Sequence, residues 1–296
     1  MKDEFNVDKS LYSFIPLRLL RDMGIEKEEA QEKSLLGVKK EFTCAYLSGG
    51  MDRSGVRKAE TEDPFDLMNR TLSFSLPNIV KNNGSIEDFC DLTVRALFSG
   101  RAEDALTASI AICEEFLRSE GEEEDRSKLG IPAIALTYGK IQMGVVGYRL
   151  RTSVVSMSTY TRLGAFLQKK AASLNARILI TGMCAEQIPG FETRYNHRFL
   201  GKVFLKETGK EETLYDVYDG DEVAVRNLKR KTKTLFERGI KLYLQRQFAE
   251  ARSCFIEVLK ADRSDKAARH YLFLCDTNYN MTPAEREAVS VYLEEF

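Results

Sequence analysis

Strand-like and helix-like segments alternate along residues 40–218, and this alternation limits the folds open to the chain more than any other feature. Apolar, β-prone runs such as EFTCAYL and ARILIT are separated by segments with apolar residues at helical spacing, such as AEDALTASIAICEEFLRSE and YTRLGAFLQKKAASLNA. A sheet built from such strands must bury its faces under helices or a second sheet. The alternation therefore predicts an α+β or α/β sandwich with a mixed sheet.

Several shorter segments of this region predict local structure. DPFDLMNRTLSFSLPNIVKNNG predicts a helix that ends at Asn-Asn-Gly. SIEDFCDLTVRALFS predicts one long strand or a hairpin, and PAIALTYGKIQMGVVGY predicts two strands around Gly139. RFLGKVFLKE and ETLYDVYD predict a closing pair of strands, whereas GEEEDRSKLG predicts an acidic, solvated loop.

The chain changes character after residue 218. Residues 219–230 contain DGDE and the start of a basic run, show no hydrophobic periodicity, and are predicted to contain the domain boundary. Within that run, KRKTK is interpreted as an anion or lipid-headgroup site, or as a solvated linker or helix start. Residues 231–296 place small and large apolar residues in a pattern that resembles one tetratricopeptide helical hairpin followed by a further helix. Because one such unit cannot bury its faces alone, we expect it to dock on the preceding domain.

Residues 1–39 form a lead-in in which LYSFIPLRLLRDMGI carries apolar residues at mixed helical spacing. The segment predicts either a helix that covers its own domain or an element that docks on something else. The start of the chain lacks the apolar stretch of a signal peptide, and no run approaches the roughly 20 apolar residues of a membrane span. These features predict a cytoplasmic protein.

Charge and composition exclude several classes of function. The chain has 44 Lys and Arg against 45 Asp and Glu, so it lacks the basic excess of a nucleic-acid binder. Its two histidines exclude a site built from several histidine ligands. The six cysteines are scattered without a CxxC pair, which predicts reduced, partly buried thiols.

The segment from Lys40 to Val217 resembles the class III adenylate/guanylate cyclase catalytic domain. FLQKKAASLNARILIT followed by RFLGKVFLKETGKEETLYDVYDG resembles the closing half of that domain in order and spacing, and PFDLMNRTL, NNGSIEDFCDLTVRALFSG and EDALTASIAI resemble its first half. FIPLRLLRDMG and the C-terminal helical hairpin are similar to elements that flank the domain in a bacterial group of cyclases. The resemblance implies a ferredoxin-like cyclase fold, and the chain is expected to correspond to one segment of a receptor-like cyclase.

Family chemistry requires two divalent cations, because negative charge builds on oxygens at both ends of the reacting α-phosphate. The resemblance places the cation-binding aspartates at Ser48, in KEFTCAYLSGGM, and at Leu92, in EDFCDLTVRALF. Leucine cannot bind a cation and a serine hydroxyl is a neutral substitute. Asp91, expected on the opposite face of a strand, and Asp52, expected in a loop, are the alternative carboxylates.

The remaining family positions lie on the later helix and the closing strands. Arg162 stands at the family's asparagine and Phe166 at its transition-state arginine, and a phenyl ring cannot stabilise developing negative charge. Asp88 and Thr159 stand where the family reads the base, and Lys206 where it contacts phosphate. The pair Gly49 and Gly50 is interpreted as a plain turn after the first strand or as a phosphate cradle.

The resemblance therefore predicts a regulatory or scaffolding pseudoenzyme of intracellular signalling that binds no catalytic cofactor. We expect it to form a homodimer, to pair with another cyclase-domain protein, or to bind a partner through its C-terminal helices. Two alternatives stay open. One is an active cyclase that makes cAMP or cGMP on Mg²⁺ or Mn²⁺ held by displaced ligands, and the other is a peptide-binding helical-repeat adaptor.

Overall fold

The computed structural model describes residues 17–25, 36–53, 63–119, 130–148, 151–279 and 281–296 of the 296-residue chain. These residues form a mixed sheet of nine strands in the order β2-β3-β1-β4-β6-β8-β7-β9, with β5 paired to β4. The strands are β1 (Lys39–Asp52), β2 (Ser85–Cys90), β3 (Thr93–Phe98), β4 (Ile131–Tyr148), β5 (Arg151–Met157), β6 (Ile178–Thr181), β7 (His197–Leu205), β8 (Lys210–Val217) and β9 (Glu294–Glu295). The predicted α+β class with a mixed sheet is confirmed.

Helices cover both faces of the sheet. The helices are α1 (Leu17–Asp22), α2 (Pro64–Lys81), α3 (Ala102–Ser119), α4 (Thr159–Leu174), α5 (Gly182–Glu186), α6 (Phe191–Arg194), α7 (Val223–Leu244), α8 (Phe248–Ala261), α9 (Lys266–Tyr279) and α10 (Pro283–Ala288). Helices α2 and α3 bury one face with Ala45, Leu47 and Ile180, whereas α4 and α7–α9 bury the other with Leu179 and Leu214. Because both faces are covered, β6 is apolar at every position of ILI rather than alternating.

The N-terminal helix packs on its own domain. Leu19, Met23 and Ile25 are buried in a third apolar cluster with Tyr46, Val145 and other residues of β1, β4 and β5. This placement agrees with the interpretation of a helix that covers its own domain. The upstream positions of the amphipathic pattern, and residues 121–129 of the expected acidic loop, lie outside the described residues.

Two local predictions from the sequence are wrong. The expected break at Gly139 is absent, because β4 is one continuous strand of 18 residues. Gly139 instead makes room for an aromatic ring: a Cβ atom there would lie 2.2 Å from the ring of Tyr160, at the start of α4. The expected turn at Gly49 and Gly50 is also absent, since both residues lie inside β1 and pair with β3 and β4.

A buried network of charges joins the C-terminal helices to the sheet. The Arg198 guanidinium on β7, 1% exposed, donates to Asp216 on β8 at 2.9 Å and to Asp265, just before α9, at 2.5 Å. The Lys229 ammonium on α7 lies 2.9 Å from Asp216 and 2.7 Å from Asp221. Burial opposes the charge on Asp265, but Arg198 and its hydrogen bonds outweigh burial and hold the pKa of that carboxyl below its ordinary value.

The last helical region begins close to this network. Helix α7 starts at Val223, inside the segment 219–230 that the sequence marks as the boundary. The basic run KRKTK, residues 229–233, lies inside α7 rather than at a helix start or in a linker, and Lys229 within it is 3% exposed rather than solvated. The division of the chain into three domains, and the tetratricopeptide character of the helices, stay predictions.

Replacing Gly139 by alanine tests the contact that keeps β4 unbroken. We expect Gly139→Ala to lower the free energy of unfolding by about 1–3 kcal/mol, because the new methyl group overlaps the Tyr160 ring. Gly144→Ala is the matched control in the same strand, since a Cβ there meets nothing closer than 3.6 Å. Urea denaturation followed by circular dichroism measures both, and equal losses would contradict the assignment.

Replacing Asp265 by asparagine tests the buried network. We expect Asp265→Asn to cost about 3–5 kcal/mol of unfolding free energy, because Arg198 keeps its charge and loses a buried partner. Asp276→Asn removes the exposed partner of Arg252 and is expected to leave the urea midpoint almost unchanged. Since the folded pKa of Asp265 is lowered, its stabilisation is present at neutral pH and lost as pH falls below the unfolded value of about 3.9. A wild-type and variant difference that stays constant into acid would contradict this account.

Candidate functional site

The register between β1 and β3 separates Ser48 from Leu92, the two positions at which the resemblance places cation-binding aspartates. Ser48 pairs with Arg95, whereas Gly50 pairs with Thr93, the residue that follows Leu92. Ser48 therefore lies three residues along the ladder from Leu92, or about 10 Å at the usual rise of a strand. The structure does not bring Ser48 and Leu92 together, and Gly50 is the β1 residue that lies beside Leu92.

Ser48 is enclosed rather than open to a ligand. Alternation along β1 puts it on the same face as Tyr46 and Gly50, whose neighbours include Gly164 and Gln168 of α4. The residue is 0% exposed, and its hydroxyl has no hydrogen-bond partner within the described part of the chain. A buried hydroxyl beneath the chain's own helix offers a cation no approach.

The space beside Gly50 is filled by groups of the same chain. A Cβ atom at Gly50 would lie 2.7 Å from the carbonyl oxygen of Leu92, 3.1 Å from the Gln168 amide nitrogen and 3.2 Å from the Thr93 hydroxyl. A contact of 2.7 Å to backbone cannot be relieved by a side-chain rotation. An aspartate therefore has no room at this position unless the 91–92 turn and Gln168 both move.

The pair Gly49 and Gly50 is also unsuited to hold phosphates. Both residues lie between β3 and β4, so their backbone groups are directed at neighbouring strands rather than at a ligand. The adjoining cavity has a volume of about 10 Å³, which is room for about one water. The interpretation of these glycines as a phosphate cradle is not supported by this arrangement.

The alternative carboxylates lie elsewhere than expected. Asp91 is not on a strand but in the tight turn between β2 and β3, where Asp91 and Leu92 adopt φ values of 48° and 61°. Positive φ at both central residues matches the turn that suits a two-residue hairpin. Asp52 is the last residue of β1 and pairs with Ile131 instead of lying in a loop. Among the described residues no three His, Cys, Asp or Glu side chains are grouped to hold a metal ion. The buried neutral hydroxyl of Ser48 and the apolar side chain of Leu92 do not fit a site that holds two cations.

The second set of family positions meets at the start of α4, where a carboxylate binds them. Glu207, in the β7–β8 turn, forms an ion pair with Arg162 and accepts a 2.6 Å hydrogen bond from the Thr159 hydroxyl. The hydrogen bonds from Arg162 and Thr159 lower the pKa of Glu207 below its ordinary value. An intramolecular anion thus occupies Arg162, the one cation that α4 keeps at these positions.

Phe166 is covered by the end of the chain. Its ring lies 5.3 Å from the ring of Phe296, centroid to centroid. Strand β9 holds Phe296 there, because the Phe296 amide donates to Phe204 and the Lys206 amide donates to Phe296, each at 2.8 Å. Lys206 lies in the turn after β7, not on the strand as expected. The position of the transition-state arginine is therefore an apolar, occupied contact.

The base-reading positions are likewise engaged within the chain. Asp88 on β2 forms an ion pair with Arg95, directly opposite it on β3. Thr159 belongs to the Glu207 cluster, and neither residue faces the other across a cavity that the structure describes. Asp88 and Thr159 are thus not brought together with Leu92 into one site.

Sequence reasoning missed the residues that fill the site. Gln168 lies two residues beyond Phe166 on α4, Glu207 adjoins Lys206, and Phe296 ends the run VSVYLEEF. The carboxylate of Glu207 beside Lys206 could have been recognised in the sequence, since an adjacent negative charge opposes the binding of a phosphate by that lysine. No sequence signal pairs Phe296 with Phe166, because their contact depends on the addition of β9 to the sheet.

Comparisons with known proteins place this fold. No protein-family model matches the chain. It is 25% identical over 232 residues to "Adenylate cyclase, terminal-differentiation specific" of Dictyostelium discoideum, a match that covers 76% of the chain and 11% of that protein. Two structures of a bacterial light-regulated adenylyl cyclase are similar, with TM-scores of 0.57 and 0.55 at 18% identity. The match covers 74% and 76% of this chain, and 63% and 66% of theirs.

These similarities establish a cyclase homology fold and leave activity open. The chain spans about a tenth of the length of its curated relative and less than two thirds of the length of the bacterial cyclase chains. In the part of the chain that the structure describes, no helix has the length and apolar character needed to span a bilayer.

Replacing Phe296 by alanine tests the cover over Phe166. Loss of the aromatic contact is expected to speed hydrogen exchange at the Lys206 and Phe296 amides roughly 2- to 10-fold. Phe89→Ala, which removes an exposed ring on β2, should leave both amides unchanged. Exchange measured by NMR decides the matter, and unchanged rates in Phe296→Ala would show that the ring does not hold β9.

Proposed function

We propose that this chain, which has the fold of a class III adenylate/guanylate cyclase homology domain, is a catalytically inactive member of that group and acts by binding. One observation carries the proposal above the others. At Gly50, the β1 residue beside the second cation-binding position, the volume that a carboxylate would need is taken by the Leu92 carbonyl and Gln168. Substitution removes the ligands, and packing removes the space for them.

The reaction makes the loss severe. Cyclisation joins the ribose 3′-oxygen to the α-phosphorus and breaks its bond to the pyrophosphate oxygen, so negative charge grows on the leaving group. Cations held by carboxylate oxygens supply the neutralising charge in this family. In this chain Leu92 is apolar, Phe166 is covered by Phe296, and Arg162 is bound to Glu207. No step through a cation is derived for such a site.

The losses affect both complementary halves of a shared active site. In the family dimer one chain brings the aspartates and the other brings the asparagine and arginine. Ser48 and Leu92 fail the first role, and Arg162 and Phe166 fail the second. The chain is therefore proposed to complete no active site beside a competent cyclase, and to regulate or scaffold by association.

Association through the cyclase-like domain is the proposed mode of action. The partner would be a second copy of this chain or another cyclase-domain protein, in the cytoplasm, with no cofactor bound. The nine-stranded sheet and its covering helices support this proposal, because a complete scaffold is retained while the catalytic positions serve internal contacts.

A cyclase assay with complementation tests the proposal. The full chain, given Mn²⁺ with ATP or with GTP, is expected to form no cAMP or cGMP above a protein-free blank. It should also restore no turnover to a class III cyclase that lacks its two aspartates, nor to one that lacks its asparagine and arginine. Those two defective cyclases mixed together provide the positive control.

Two outcomes would overturn the proposal. One is turnover by the chain alone that Asp52→Asn or Asp91→Asn abolishes, which would establish displaced ligands. The other is turnover with either defective cyclase, which would show that this chain supplies half of a site. Because cations and paired half-sites are worth many powers of ten in rate, either outcome would be plain.

A further inference from the structure

The C-terminal helices have one face that nothing in the described chain covers. Helices α8 and α9 run side by side, and their outer surfaces enclose a groove of about 300 Å³ lined by Ile256, Leu259, Lys260, Arg263 and Leu272. Phe273, which follows Leu272 on α9, is 67% exposed. It lies one helical turn from Asp276, whose ion pair with Arg252 places that side of α9 beside α8. Exposed apolar surface beside a groove marks a site of interaction more often than a scattered single residue does.

The opposite face of the same helices is fully used. Phe255 and Tyr271 are buried with rings stacked at 5.4 Å, and the Tyr271 hydroxyl donates to the Leu200 carbonyl on β7 at 2.8 Å. The groove is therefore not the face by which these helices dock on the sheet. An apolar outer face adds nothing to the contact that holds α8 and α9 in place.

The segment that follows α9 does not return to the groove. Arg246 at the end of α7 donates to the carbonyl oxygens of Glu287 and Val289, and the Leu293 amide donates to Lys202 on β7. These contacts take residues 287–293 toward α7 and the sheet edge. Within the described chain the groove thus stays open, although 16 residues, 280–295, lie between Tyr279 at the end of α9 and Phe296.

Charge at the groove is one-sided. Arg263 lines it, and the Arg269 guanidinium donates to the Arg263 carbonyl at 2.6 Å, which places Arg269 at the same end. Neither guanidinium has a carboxylate within 4 Å among the described residues. The neighbouring cations are already paired, Lys260 with Glu257 at 2.6 Å and Arg252 with Asp276 at 2.5 Å. Two guanidinium groups without a carboxylate partner in the described chain therefore lie at one end of an apolar groove.

We propose that the α8–α9 groove docks an amphipathic helix of a partner protein whose apolar stripe is flanked by Asp or Glu. A helix fits because helices pack side by side with about 8–10 Å between their axes. A docking helix would place apolar side chains at positions i, i+3, i+4 and i+7 in the groove. Carboxylates fit because Arg263 and Arg269 can each form charge-assisted hydrogen bonds with them. The inference concerns a second surface, on the C-terminal helices, and goes beyond the proposed function; it holds whether or not the chain turns over nucleotide.

Selection from a displayed library tests this inference on the full chain. The probe is a library of helical peptides that keep an apolar stripe and carry random residues elsewhere. The wild-type chain is expected to enrich peptides with Asp and Glu beside the stripe, and the double variant Arg263→Glu with Arg269→Glu to lose them at least 10-fold. Lys231→Glu with Lys241→Glu, an equal charge reversal at exposed sites of α7, is the matched control and should keep the enrichment.

NMR chemical shifts recorded with one selected peptide locate the binding site on the chain. Resonances of Ile256, Leu272 and Phe273 should shift, and Phe273→Ala should weaken binding while the melting curve stays unchanged. The inference is overturned if enriched peptides show no acidic preference, if the Arg263/Arg269 variant enriches the same peptides, or if shifts map elsewhere. It is also overturned if the wild-type chain is a dimer and the Phe273→Ala variant is a monomer, because a second copy of the chain would then occupy the groove. The cyclase assay is a separate readout, so the two proposals fail separately.

Discussion

The Arg198 guanidinium, buried between strands β7 and β8 and helices α7 and α9, is the group on which the assembly of this chain depends. It bridges Asp216 of β8 to Asp265 before α9, and it lies 4.2 Å from the centre of the Phe236 ring on α7. Lys229, Asp221 and Arg177 complete the network, so that three cations face three carboxylates. Burying so many charges is tolerable only when each is paired, so the sheet and the helices fix one another's position.

The docked position of these helices affects the surroundings of Phe166. Helices α7–α9 are held on β7 and β8. Gly201 on β7 has a φ of 124°, and the Tyr271 hydroxyl lies 2.3 Å from the point that a Cβ atom of this residue would occupy. The same edge of β7 then accepts β9, and β9 carries Phe296 onto Phe166. Helical docking and strand addition thus meet at β7, and β9 brings Phe296 over Phe166. In the proposed role, the chain uses for stability the residues that a cyclase would use for charge stabilisation.

Parts of the candidate site could be read from the sequence and parts could not. Leu92 and Phe166 are apolar wherever they lie, so the absence of a ligand and of a cation at those positions needed no coordinates. Ser48 shows the limit, because a strand read alone does not specify which of its residues will lie beside the next hairpin. The pairing of Gly50 with Thr93 follows from the hairpin turn at Asp91 and Leu92 together with packing against α4. Asp91 shows the same limit, since its neighbours on both sides are β-prone and only the closed hairpin reveals a turn.

The sequence by itself determined the α+β class, the cyclase-like character of residues 40–217, and the chemical identity of the side chain at each family position. Local periodicity and side-chain chemistry are properties of the chain, and these conclusions depend on nothing else. Tertiary structure alone decided that Gly139 lies within an unbroken strand, that Glu207 neutralises Arg162, and that Gln168 fills the space beside Gly50. Each of these features depends on contacts between residues that are distant in sequence. Strand register and side-chain packing set the energies of those contacts, and no single segment of the sequence specifies register or packing.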